Sequence, residues 1–151
     1  MGSGITPPDL HHAIRPWLAS FLAGAGGVAG TVHLFENGGL RLAGSVNIPE
    51  KVQQAVAWVP SGKGMAGLAL ERGEPIQTCN LQEDRSGAVK PGAKAVNAQA
   101  AVALPVRDQA GAIVAIVGVA FADAREIEGE ELHRLQRAAA TLPSIPARPP
   151  E

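Results

Sequence analysis

Several kinds of residue are scarce in this 151-residue sequence, and each scarcity excludes a class of protein. There is one cysteine, Cys79, which excludes an internal disulfide framework and a zinc site built from several cysteines. No uninterrupted apolar run approaches the roughly 20 residues of a spanning helix, so no membrane partner is expected. Thirteen basic and 14 acidic side chains give a net charge of -1, so no nucleic acid partner is expected either. We expect a protein of the reducing cytoplasm.

Aromatic residues are also rare, at 3% of the chain with no tyrosine. Alanine is abundant instead, with 27 residues, so the core must be built from Val, Leu, Ile and Ala. The 18 glycines and 12 prolines interrupt apolar runs without forming a period. This pattern is typical of one turn-rich globular domain and not of a disordered or collagen-like chain.

Residues 1–27 are predicted to form a helix after a flexible start. Thr6 can cap this helix, and Pro7 suits its first position. Pro16 lies inside the stretch and predicts a kink or a break, because proline lacks an N–H group. Apolar residues recur at three- and four-residue steps, which predicts one buried face: Leu10, Ile14, Trp17, Leu18, Phe21 and Leu22.

Two β-hairpins are indicated by alternating apolar residues around turn-forming ones. The first joins residues 31–35 to 40–43 through Asn37-Gly38, a pair that tolerates positive φ. The second joins residues 99–106 to 112–121, and both of its strands are apolar enough to lie inside a sheet.

The remaining elements are short. Helices are predicted at 50–58 and 64–72, followed by a strand at 76–79. Asp123 is predicted to cap a last helix, which precedes a flexible proline-rich tail at 143–151. The order of helix, hairpin, short helices, hairpin and helix predicts an α+β fold with an antiparallel sheet.

One motif matches a cofactor fingerprint but stands in the wrong context. Gly62, Gly64 and Gly67 form the Gly-x-Gly-x-x-Gly pattern of dinucleotide-binding proteins. That pattern requires a strand running directly into the first glycine, and here Pro60 and Ser61 intervene. We therefore interpret the motif as a tight strand-to-helix turn, and we expect no cofactor.

The string from Val59 to Ala69, followed by Gly73-Glu74-Pro75-Ile76, resembles the GAF domain family within this order of elements. The resemblance covers roughly residues 28–141 and implies a core of 28–142. It implies a GAF/PAS-like antiparallel sheet flanked by helices, with the N- and C-terminal helices packed together. Three further segments resemble the second strand, the polar segment after the third, and the final hairpin of the family: Leu40–Val46, Asn80–Asp84, and Ala103–Val106 with Gly111–Val119.

The resemblance also implies a function. Members of the family are mostly non-enzymatic sensory or regulatory modules that bind a small molecule between the sheet and the loops on one face. They pair through their first and last helices, so we expect a homodimer whose helix packing is biased by the ligand. The sequence contains no kinase or DNA-binding segment, so the output would lie on a separate signalling protein.

Seven residues are candidates for ligand binding. Trp58 precedes the glycine turn, and we expect its side chain either to form a wall of the pocket or to fill the core. Arg85 and Lys94 belong to a loop without acidic residues that overlies the pocket in the family, which makes an anionic ligand one option and a solvated basic loop the other. Four residues bring polar groups to the ends of apolar strands: Gln77, Thr78, Asn80 and Gln99.

Two alternatives belong to other classes of protein. A thiol redox enzyme that resembles the free methionine sulfoxide reductases would use Cys79, but the resemblance implies a relay of several cysteines. A ligand-free dimerisation scaffold would have a filled core. The four histidines show no metal-ligand spacing, so no metal site is expected.

Overall fold

The computed structural model describes residues 7–78, 99–124 and 126–143. Within these ranges the chain forms four helices and six strands, which confirms the predicted α+β class. The helices are α1 (Pro7–Ala25), α2 (Glu50–Ala55), α3 (Gly64–Arg72) and α4 (Gly129–Ala139). The strands are β1 (Ala29–Glu36), β2 (Gly39–Val46), β3 (Trp58–Pro60), β4 (Ile76–Thr78), β5 (Ala100–Arg107) and β6 (Ile113–Phe121).

The strands form one antiparallel sheet in the order β3-β2-β1-β6-β5-β4. The two hairpins meet at its centre, where β1 pairs with β6 and Thr31 lies opposite Gly118. The first hairpin turns through Asn37 and Gly38, with φ of 49° and 79°, as its Asn-Gly sequence predicts. Because every pairing is antiparallel, the glycine motif does not sit in the parallel βαβ unit of a dinucleotide-binding fold.

Helices α1 and α4 cover one face of the sheet and form the main core there. The indole Nε1 of Trp17 donates a hydrogen bond to Oγ1 of Thr141 at 2.9 Å, just beyond the end of α4. This confirms that the terminal helices pack together. The core consists mainly of aliphatic side chains from both helices and four strands, among them Ile14, Leu18, Leu22, Val32, Leu104, Val117, Phe121 and Leu135.

The sequence predicted either a kink or a break at Pro16. Helix α1 runs through Pro16 without a break. Pro16 is exposed, on the side of the helix away from the sheet. The carbonyl one turn earlier, which loses its N–H partner at Pro16, therefore lies on the solvent side, where water can satisfy it. No helix in the described ranges has the length and hydropathy that crossing a membrane requires.

The last helix begins later than predicted. Asp123 does not cap it, since α4 starts at Gly129 and the preceding Glu128 is extended, with φ of -151° and ψ of 174°. The reason is a tertiary contact. Ile127 is fully buried, and its backbone N–H and C=O both bond to the side chain of Gln77 on β4, which holds this segment extended.

The opposite face of the sheet is covered by α2 and α3, and its core is divided. One part is closely packed and contains Leu40, Val59, Ala69, Ala103 and Ile116. The other part is built around Ala29, with only partly buried neighbours, namely Ile48, Met65, Ala101 and Ala120. The second part is underfilled, and the candidate site lies there.

Candidate functional site

A cavity of about 150 Å³ lies between the sheet and the α2 and α3 side of the molecule. Its floor consists of two rows of small residues that cross three neighbouring strands. One row is Ala29, Ala120 and Ala101, and the other is Thr31, Gly118 and Ala103. Alternate residues of a strand share a face, so small residues at every second position leave a shallow depression in the sheet.

The next row ends the depression. It contains the larger residues His33, Ile116 and Pro105, which are aligned across the same three strands. The walls opposite the floor are aliphatic and come from the segment before α2, from α2 itself, from β3 and from the start of α3: Ile48, Val52, Val56, Val59, Met65 and Ala66. Lys63 is the one charged residue among the described lining residues, and it is exposed.

The glycine motif brings the start of α3 to this cavity. Gly62 has a φ of 86°, and its N–H donates to the Gly67 carbonyl at 2.8 Å. A Cβ at Gly67 would lie 2.5 Å from the carbonyl oxygen of Pro60, so only glycine allows β3 and α3 to approach this closely. The motif is thus a tight strand-to-helix turn, as the sequence context indicated.

The start of α3 also has hydrogen-bonding capacity that its N-cap side chain leaves unused. Lys63 occupies the N-cap position, and its side chain makes no capping bond. The first backbone N–H groups of a helix have no partner inside the helix, and they form the positive end of its dipole. Because Gly64, Met65 and Ala66 line the cavity, this polar edge borders an otherwise aliphatic space.

His33 is the most unusual lining residue, because it is a titratable group that is only 3% exposed. Its Nε2 lies 2.9 Å from the Val56 carbonyl oxygen, which can only accept, so Nε2 carries the proton and donates. Nδ1 is then an acceptor, and it is buried without a donor among the described residues. Burial lowers the pKa of His33 below its usual 6.5, so the ring is neutral at pH 7.

Thr31 lies two residues before His33, on the same face of β1. A Cβ at Gly118 would lie 2.8 Å from its Oγ1, so the glycine makes room for this hydroxyl in the middle of the floor. The hydroxyl has no hydrogen-bond partner in the part of the chain that the structure describes. It can both donate and accept, so two lining residues carry a polar atom without a partner among the described residues: Thr31 Oγ1 and the buried His33 Nδ1.

The structure brings none of the predicted ligand-binding residues that it describes to this cavity. Trp58 is 39% exposed on the edge strand β3, where its ring packs on Gly39 and under the guanidinium of Arg41, 5.5 Å from the ring centroid. It is therefore not a core plug either. Gln77 is bound to Ile127, as described above.

The other predicted residues are also elsewhere or are not described. Thr78 is buried in β4 opposite Ala101, and Gln99 donates its backbone N–H to the Phe121 carbonyl at 2.8 Å. Asn80, Arg85, Lys94 and Cys79 lie outside the described residues. Over the described ranges, no three His, Asp or Glu side chains are close enough to hold a metal ion.

From the sequence, Thr31, His33 and the two rows of small residues were not identified as parts of a site. The available signal was the alternation of small residues in three strands, at 29 and 31, at 101 and 103, and at 118 and 120. If these strands lie in one sheet, the alternation predicts a face on which each strand carries small side chains. Because β1, β6 and β5 are neighbours, these faces join and form the floor of the cavity.

A family model described as GAF domain matches residues 14–143. Among solved structures, the GAF domain of a phosphoenolpyruvate-protein phosphotransferase from Coxiella burnetii is 19% identical, with a TM-score of 0.70 over 89% of this chain and 78% of that one. A GAF domain/HD domain protein from Geobacter sulfurreducens is 12% identical, with a TM-score of 0.70 over 90% of each chain.

An enzyme has a similar structure. The type II free methionine-R-sulfoxide reductase from Thermoplasma acidophilum is 20% identical, with a TM-score of 0.65 over 89% of this chain and 94% of that one. At these identities the likeness is one of fold. None of the curated proteins compared with this chain matches it in sequence.

Proposed function

The chain belongs to the GAF domain family, and from that membership we propose that it is a sensory or regulatory module that binds a small molecule and catalyses no reaction. The observation that carries the proposal is the cavity over the small-residue floor. It combines aliphatic walls with a few polar groups, as small-molecule sites do. A cytoplasmic location, suggested by the single cysteine, is part of the proposal.

Gly30 connects the cavity with α1 across the thickness of the sheet. The backbone of Gly30 lines the cavity on one side of the sheet. On the other side, a Cβ at this position would lie 2.9 Å from Leu22 Cδ2 and 3.3 Å from Leu18 Cδ1. Only backbone therefore separates a ligand from the side chains of α1. A ligand that moves β1 by a few tenths of an ångström displaces a helix whose close-packed contacts cannot absorb the change.

We propose that α1 transmits this displacement to a second copy of the chain and then to a separate signalling protein. The apolar stripe of α1 is not what supports pairing, since Ile14, Leu18 and Leu22 are buried against the chain's own sheet. The support comes from the opposite face, which is exposed and made of small residues that let another helix approach closely: Ala13, Pro16, Ser20, Ala23 and Gly24.

Native mass spectrometry of freshly purified protein tests ligand binding directly. We expect a retained small molecule in the wild type and its loss in Ala120→Leu, which fills the cavity from its floor. Gly24→Ala is the matched control, because nothing lies within 4 Å of a Cβ there and the site is on α1. A ligand that survives Ala120→Leu would place binding outside the cavity. If neither purified protein nor a metabolite extract yields a bound mass, the ligand-free scaffold is favoured.

A thiol redox enzyme is the second candidate, because of the fold shared with the Thermoplasma reductase. The single Cys79 cannot form an internal disulfide, which disfavours a relay of the kind that the sequence resemblance implied. The assay supplies free methionine sulfoxide with dithiothreitol to the wild type and to Cys79→Ser. Turnover in the wild type that Cys79→Ser abolishes would establish the enzyme and overturn the non-catalytic proposal.

A further inference from the structure

We propose that the cavity takes an uncharged ring compound about the size of phenol or indole that carries one O–H or N–H donor. This inference rests on the proposed function, because it names the class of ligand for the same cavity. It is drawn from three properties of the described lining: its volume, its lack of buried charge, and the two polar groups that have no partner.

The volume limits the ligand to one or two small rings. The cavity measures about 150 Å³. An engineered apolar cavity of about 150 Å³ in another protein stays dry and binds benzene. The start of α3 lines the cavity, so a substituent can extend toward that edge. Nucleotides and tetrapyrroles are several times larger and do not fit.

The lining also disfavours a charged ligand. Its described residues include no carboxylate, and their one cation, Lys63, is exposed to water. Away from the start of α3, an ion placed against the Ala and Val side chains of this cavity would lose its hydration without gaining a buried counter-ion from the described lining. The neutral state of His33 adds no compensating charge. An uncharged molecule is therefore preferred.

The polar groups select a ligand that brings a donor. Nδ1 of His33 can only accept, and it has no donor within the described ranges. Thr31 Oγ1 lies beside Gly118 in the floor, and Thr31 precedes His33 by two residues on the same face of β1. A buried acceptor without a donor is costly, so a ligand hydroxyl or N–H that bonds to His33 Nδ1 removes a penalty already present in the empty protein. The half-buried hydroxyl of Thr31 offers a second hydrogen-bond partner.

Phenol and toluene test this inference, because they have nearly the same size and differ in one donor. Toluene gains more from leaving water, so it would bind more tightly to a purely apolar cavity. We expect the wild type to bind phenol at least as tightly, measured by isothermal titration calorimetry or by amide shifts in ¹⁵N NMR spectra. The quantity of interest is the ratio of the two dissociation constants.

Variants of Thr31 and His33 show which of the two side chains causes the preference for phenol over toluene. Thr31→Val removes the hydroxyl, and Thr31→Ser keeps it. His33→Gln keeps a donor for the Val56 carbonyl but removes the ring acceptor. At least one of Thr31→Val and His33→Gln is expected to shift the ratio toward toluene by roughly 3- to 10-fold, the worth of one net hydrogen bond, while Thr31→Ser leaves it unchanged. Thermal melts confirm that each variant is folded.

Three outcomes would overturn the inference. The first is a wild-type preference for toluene, the second is an unchanged ratio in both Thr31→Val and His33→Gln, and the third is tighter binding of benzoate than of phenol. These outcomes are distinct from failure of the proposed function. If the purified protein retains a ligand of another class that Ala120→Leu expels, the sensory module stands and only the ligand class is wrong.

Discussion

Gly67 is a residue at which β3 and α3 pack closely together. Its Cα faces the Pro60 carbonyl oxygen, and an added Cβ would lie 2.5 Å from that backbone atom. We expect Gly67→Ala to lower the free energy of unfolding by about 1–3 kcal/mol, the usual penalty of overpacking. Urea denaturation measures the change.

The control for this prediction is Gly24→Ala on α1, where a Cβ meets nothing within 4 Å. Alanine is the better helix former, so this variant is expected to gain up to about 1 kcal/mol. Equal urea midpoints for Gly67→Ala and Gly24→Ala would show that the contact between β3 and α3 is looser than the distances indicate.

His33 makes stability depend on pH in a defined direction. Burial lowers its pKa in the folded state below the 6.5 of the unfolded chain, so between these values the unfolded state binds more protons. The contribution of the neutral ring is fully present above pH 6.5 and is lost as the pH falls below 6.5 toward the folded-state pKa.

We therefore expect the free energy of unfolding to fall more steeply between pH 7.5 and pH 5.5 in the wild type than in His33→Gln, whose side chain does not titrate. Chemical denaturation at several pH values measures both slopes. In the difference between the two slopes, the contributions of all titrating groups that the two proteins share cancel. Parallel pH profiles would mean that His33 is solvated in the folded protein.

At the scale of elements, the position of α4 depends on one glutamine of β4. The side chain of Gln77 accepts from the Ile127 N–H at 2.8 Å and donates to the Ile127 carbonyl. Gln77→Ala leaves both backbone groups without these partners, and we expect a loss of about 1–3 kcal/mol in the free energy of unfolding. Gln54→Ala, at an exposed position of α2, is the matched control and should change little.

Hydrogen exchange gives a second measurement of the same clamp. In Gln77→Ala the amide of Ile127 is expected to exchange faster, while amides in β1 and β6 keep their protection. If the Ile127 amide stays as protected as in the wild type, another group holds the segment before α4.

Local signals were sufficient to predict most elements. The Asn37-Gly38 pair specifies a turn by its backbone preference, and the two long hairpins follow from alternation, so both are visible in short windows of sequence. The start of α4 is not, because Asp123 is a good N-cap by sequence, whereas the distant Gln77 holds Ile127 through both of its backbone groups. A contact 50 residues away in the chain overrides a capping signal.

The cavity was hidden for a different reason. Polar residues at strand ends indicated a site in the sequence, but Gln77 binds Ile127 and Thr78 is buried in β4. The cavity is instead formed where side chains are small, because Ala101, Ala120 and Gly118 leave space above the sheet that larger side chains would fill. Such a floor becomes visible only when the order of the strands is known, and that order depends on contacts between distant segments.

At the scale of the whole molecule, the proposed pairing of two copies makes a prediction about α1. Ser20 lies on its exposed small-residue face, and no described side chain covers it. Ser20→Arg is expected to convert a dimer to a monomer in sedimentation velocity, because a long charged side chain prevents close helix approach. The far-UV circular dichroism spectrum should stay as in the wild type, because an exposed substitution leaves the fold of each copy intact.

Gln54→Arg is the control for the added charge, since it lies on α2, away from α1. It should leave the sedimentation coefficient as in the wild type. A wild type that sediments as a monomer at all accessible concentrations would end the pairing proposal and leave ligand binding to be judged by mass spectrometry alone.

The pairing of β1 with β6 also dictates how the chain can fold during its synthesis. Residues that are neighbours in the centre of the sheet, such as Ala29 and Ala120, are 91 positions apart in the chain. While the ribosome makes the segments between them, α1 and the first hairpin expose one open edge of β1 and a bare apolar face. A nascent chain stalled before β6 therefore presents an unpaired strand edge of the kind that promotes aggregation until β6 is made.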